Sequence, residues 1–90
     1  MSLEAGKTVG VVDFIRSEQA PMGLFRIAPD VPCDYALEQA STVMGCVHKL
    51  IEAGLLDEDG EMLWAAYFLN EFAKAIVDDV GLGMSKAKPG

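Results

Sequence analysis

The chain has 90 residues, 51% of them hydrophobic and 23% charged, with 14 Asp plus Glu against 7 Lys plus Arg and a formal net charge of −7. That length makes one domain, of a size that buries a modest share of its surface and often relies on a metal, disulfides or oligomerisation. The apolar content argues against wholesale disorder, and the acid argues against phosphate backbones and anionic membranes as partners while leaving a basic protein as a candidate.

The acid is concentrated. Between Asp30 and Val80 there are eleven acids, and Lys49 and Lys74 are the only bases. "MSLEAGKTVG" contains no apolar core of a secretory signal, and no apolar run approaches the roughly 20 residues of a membrane span. The expectation is a reduced, cytoplasmic protein. Cys33 and Cys46 fall on one predicted helix about 20 Å apart, too far for a disulfide.

In chain order, residues 1 to 7 read as a loose terminus. "TVGVVDFIR" (8 to 16) is rich in β-branched residues but interrupted by Gly10, so its conformation is ambiguous. "SEQAPMG" (17 to 23) reads as a loop punctuated by Pro21 and Gly23. "LFRIA" (24 to 28) alternates like a short strand and is stopped by Pro29 and Pro32. Leu37, Ala40, Met44, Val47 and Ile51 then recur at steps of three and four. They predict an amphipathic helix over about 33 to 54, with acids in its first turn and Gly54 as a stop. Gly45, in its interior, suggests a close approach of a second helix. After "LLDEDG", where Asp57 or Asp59 can cap, a second helix is predicted over about 59 to 80. Its seam is Met62, Ala66, Leu69, Ala73, Ile76 and Val80, and Gly81 and Gly83 terminate it.

Two such helices joined by a short loop form an antiparallel hairpin. The fold class is mainly all-α: a helical hairpin with a short N-terminal β segment. Residues 1–23 form a partly flexible arm, 24–80 the strand-plus-hairpin domain and 81–90 a flexible tail. "MLWAAYFL" (62 to 69) is apolar nearly all round, which demands burial on more than one side. The N-terminal arm can cover some of these sides with Phe14, Ile15, Leu24, Phe25 and Ile27, and a second copy the rest: the predicted homodimer pairs two hairpins as a four-helix bundle, with Trp64, Phe68, Phe72, Met62 and Leu69 at its interface.

No constellation points to catalysis. His48 is the sole histidine; it pairs with Glu52 four residues on, whereas Ser41 lies two turns away, about 10 Å. Cys46 and His48 point in different directions. Cys33, near a helix N-terminus, is the better candidate for a lowered thiol pKa. "LLDEDGE" fails the calcium-loop pattern at positions one and twelve, which are Leu55 and Ala66. The glycines of "VGLGM" lack a phosphate-loop signature. No catalytic, cofactor-binding or metal-binding residue is assigned.

"F-x-apolar-x-P" (Phe25, Ile27, Pro29), "ALEQAS" (Ala36 to Ser41), a mid-helix Cys46 and "FAKAIVDD" (Phe72 to Asp79) together resemble a family of small pseudomonad-type bacterial proteins labelled as a domain of unknown function. The resemblance covers about residues 24 to 80. It implies a two-helix cytoplasmic domain and no assigned activity. The family commonly has Gly after Pro29; here it is Asp30, which leaves that turn open. The expected function is a small non-enzymatic, dimeric helical module acting through protein contacts. The alternative is a binder of a small apolar or regulatory ligand between helices.

Overall fold

The computed structural model describes residues 6–87. The expected loose terminus lies outside the described residues for positions 1–5, as does the end of the tail at 88–90. The elements in order are β1 (Asp13–Phe14), β2 (Phe25–Arg26), α1 (Cys33–Leu56) and α2 (Gly60–Ala87). The helices form the expected antiparallel hairpin. β1 and β2 pair antiparallel, Asp13 opposite Arg26 and Phe14 opposite Phe25. The molecule is a thin plate of 51 × 31 × 16 Å, little more than one helix layer deep.

Each helix boundary has a local cause. Pro32 precedes α1, where its missing N–H costs nothing. α1 runs two residues past Gly54, the expected stop. Glu58 takes the left-handed conformation (φ 51), and the Asp59 N–H reaches back to the Gly54 carbonyl at 2.9 Å, closing the helix in a Schellman-type turn. Asp59 then caps α2: its Oδ1 accepts the N–H of Glu61 at 3.0 Å and of Met62 at 3.4 Å.

Gly81 and Gly83 do not end α2, which continues to Ala87. A Cβ at Gly83 would overlap the Lys7 carbonyl, so this glycine admits the arm backbone against the helix. The close approach expected at Gly45 is at Gly54 instead. A Cβ at Gly54 would stand 2.8 Å from Leu63 Cδ2, whereas nothing lies within 4 Å of one at Gly45.

The α2 seam is as expected, with Ala66, Ala73 and Val80 buried. On α1 the buried stripe is Cys33, Ala36, Ala40, Val47 and Gly54. Met44 and Ile51, expected in the seam, lie on its exposed edge. Small residues let the two backbones close together, and the larger neighbours turn outward.

The arm is tied down by hydrogen bonds. Thr8 is buried; its hydroxyl donates to the Ala28 carbonyl at 2.6 Å and accepts the Val31 N–H at 3.0 Å. Asp30 adopts φ 63, a conformation a glycine takes freely, and its N–H donates to the Thr8 carbonyl at 2.9 Å. The arm meets the hairpin at Asp79, a fully buried carboxylate. Oδ1 accepts the N–H of Val9 (2.5 Å) and Gly10 (3.1 Å). Oδ2 accepts those of Gly10 (3.1 Å), Val11 (3.0 Å) and Val12 (3.0 Å). Four consecutive amides can converge on one carboxylate because Gly10 turns the chain at φ 86.

Burial alone would raise the Asp79 pKa; the amides of Val12, Gly10, Val9 and Val11 outweigh it and hold the pKa below its ordinary value. A depressed carboxylate stabilises the fold above its unfolded pKa, about 4, and loses that contribution as pH falls through the native value. Asp79→Asn, which turns an amide donor toward N–H groups, is expected to cost about 2–4 kcal/mol. Urea denaturation at pH 7 checks this, with the exposed Asp78→Asn as a near-neutral control.

Candidate interaction surface

α2 carries two aromatic clusters with different fates. Phe72 belongs to the first: its ring lies 4.9 Å from Phe14 (interplanar angle 72°) and 5.6 Å from Phe25. Phe14 and Phe25 stack on each other at 5.6 Å. The arm therefore covers Phe72. The second cluster is Trp64, Tyr67 and Phe68, with centroids 5.5–5.9 Å apart. These rings are 62%, 53% and 43% exposed, far above what side chains of this size show in a finished core.

The structure divides the five residues expected at an interface. Trp64 and Phe68 are exposed and adjacent. Met62 and Leu69 are half-buried on the stripe that carries Ala66 and Ala73 toward α1. Phe72 sits beneath the arm. The arm packs on α2 at Phe72, at Asp79 and beside Gly83.

Two concavities flank the exposed rings. One, of about 420 Å³, runs between arm residues 12–16 and the α2 side chains Tyr67, Phe68, Glu71, Lys74, Ala75 and Asp78. Its rim is charged: Arg16 pairs with Asp13 at 2.5 Å, and Lys74 donates to Asp78 at 2.7 Å. The other, of about 530 Å³, is shallow and apolar. It is lined by Gly60, Leu63, Trp64 and Tyr67, all from α2. A ligand site between the helices would draw on α1 as well.

The candidate reactive groups are placed as follows. His48 Nε2 lies 3.2 Å from Glu52 Oε1, both side chains exposed, and Ser41 is exposed. Both cysteines are free, Cys33 buried and Cys46 exposed. The lowered thiol pKa expected at Cys33 is not found. Burial raises it, and the charges of Asp34 and Asp79 raise it further; together they outweigh the helix terminus. Among the described residues, no group of three or more His, Cys, Asp or Glu side chains is arranged to hold a metal ion, and no helix is long and apolar enough to cross a membrane.

Reading from sequence missed Asp79. Its signal was an acid flanked at helical spacing by Phe72, Ala75, Ile76 and Gly83, on a stripe that is otherwise apolar or small. A carboxylate there must be buried and must find donors.

The fold and surface define a class: an antiparallel helical hairpin clasped by a β arm, with an exposed aromatic cluster near its tip. Within that class the chain belongs to the family described as a protein of unknown function (DUF3077), whose model matches residues 8–83. The match takes in most of the arm, beyond the stretch that carried the resemblance. No curated protein and no solved structure matches the chain.

The two thiols give a direct check on this placement. Under native conditions at pH 8, Cys46 is expected to react with a maleimide at the rate of a free thiol. Cys33 should react at least about a hundredfold more slowly, since it is reached only through local opening. Mass spectrometry of peptides cut after Glu38, which lies between the two cysteines, distinguishes the two over time.

Proposed function

We propose that this domain is a non-enzymatic, cytoplasmic module that acts through protein contacts and pairs with a second copy of itself. The observation that carries this reading is an inversion of size between inside and outside. Among the described residues the buried apolar ones are Phe14, Cys33, Val47, Val80 and five alanines. The largest fully buried side chains are Asp79 and Cys33. Among the described residues fifteen large hydrophobic side chains, Trp64, Tyr67 and Phe68 among them, are exposed. At roughly 25 cal/mol per Å² of buried apolar area, an alanine-rich seam supplies little stability. A partner that covers the outer rings supplies the remainder.

The second copy is assigned to the arm side of the hairpin tip. At 100° per residue, Phe68, Ala65, Leu69 and Met62 follow one another around α2 from the arm toward α1. Two such faces meeting about a two-fold axis give a four-helix bundle. The non-enzymatic reading rests on where the reactive groups lie: His48 and Glu52 in solvent, and Cys33 buried with a raised pKa. The free thiols suit a reducing compartment.

Size-exclusion chromatography with light scattering is expected to give twice the 9.7 kDa chain mass at micromolar concentration. Phe68→Glu should return the chain mass with an unchanged helical spectrum, whereas Val77→Glu, an exposed substitution away from that face, should leave the dimer intact. Wild-type protein that elutes with the mass of one chain contradicts the reading.

A further inference from the structure

We infer that the outer face of the hairpin tip is a docking site for a basic amphipathic segment of another protein. Gly60, Leu63, Trp64, Tyr67 and Glu71 fall within about 100° of arc on α2. That arc is turned away from the Ala65–Phe68–Leu69 side assigned to the second copy, and Trp64 stands at the border. The first four of these residues line the shallow apolar concavity of about 530 Å³.

Charge closes the strip at both ends. At the tip stand Asp57 and Glu58, both exposed, with Glu61 in the first turn of α2. At the far end is Glu71, eleven residues or about 16 Å from Gly60. The cation one turn beyond, Lys74, is held by Asp78 at 2.7 Å. Along the helix the surface therefore reads acid, aromatic, acid. Its complement is an apolar anchor flanked on both sides by Lys or Arg, about three helical turns apart. The Trp64 and Tyr67 rings also accept a guanidinium or ammonium over their faces.

The charge also selects against other occupants. A second copy brings another net charge of −7 and the same acidic strip, so like charges oppose self-association on this face. Anionic membranes and nucleic acids are repelled on the same ground.

Trp64 is the only tryptophan, so its fluorescence reports this site directly in the full chain. The probes are a synthetic amphipathic helix of Leu and Lys, the same helix with Glu in place of Lys, an unpatterned Lys/Gly peptide, and anionic phospholipid vesicles. Only the Leu/Lys helix is expected to shift Trp64 emission to the blue. Its affinity should fall by about tenfold between 50 and 200 mM salt, and by about tenfold or more in Glu58→Lys/Glu71→Lys. Tyr67→Ala should weaken it with the charges intact. A comparable shift with the Leu/Glu helix, the Lys/Gly peptide or the vesicles overturns the inference, as does no shift with the Leu/Lys helix. Phe68→Glu separates this inference from the dimer. A monomeric variant that still binds the Leu/Lys helix leaves the site standing, and a dimeric wild type that ignores it removes the site and keeps the dimer.

Discussion

One carboxylate determines how this chain is arranged. Asp79 is buried, no ion pair is made to it among the described residues, and its charge is borne by four consecutive backbone amides, Val9 to Val12. A buried charge in that state is costly unless every donor is in place, so Asp79 fixes the arm's position as much as the arm satisfies Asp79. Two glycines serve the same contact. Gly10 gives the chain the bend that aims its amides inward, and Gly83 lets the Lys7 backbone lie against α2. With the arm fixed there, Phe14 and Phe25 reach Phe72 and cover the middle of α2.

The same contact determines what is left uncovered. An arm anchored at Asp79 packs on Phe72 and faces Tyr67 and Phe68 only across an open concavity, so Trp64, Tyr67 and Phe68 stay exposed. The helix seam, built of alanines, Val47 and Val80, cannot draw them in without separating the backbones. Architecture and proposed function thus follow from one division of labour. Small residues and a backbone–carboxylate clasp hold the chain's shape, and the large apolar side chains of the hairpin tip stay exposed.

The helices were legible because the period of α2's seam is unbroken from Met62 to Val80 and because acids mark both helix starts. The exposed aromatic cluster was legible for a related reason: eight apolar residues in a helix cannot all face one neighbour. Less visible was the arm. Its short β pairing depends on non-local partners, and "TVGVVDFIR" has no period that reveals them. The glycines misled in both directions. Gly54 and Gly83 mark close approaches that are set by the partner backbone, and Gly45, which faces nothing, has no such role. Met44 and Ile51 fit a heptad seam by spacing, yet the closeness of the helices at Ala36, Ala40 and Gly54 rotates the buried stripe past them. Asp79 was hidden because a carboxylate on an apolar stripe can be read as an edge residue until its donors, seventy positions away, are seen.

The central claim is that this fold draws much of its stability from a second copy, because its own core is built of small residues. The most direct measurement is the thermal midpoint as a function of protein concentration, followed by circular dichroism from about 1 to 100 μM at pH 7. A fold stabilised by association shows a midpoint that rises steadily over that range by mass action, by several degrees. A midpoint independent of concentration contradicts the claim and returns the aromatic cluster to the surface of a self-sufficient monomer.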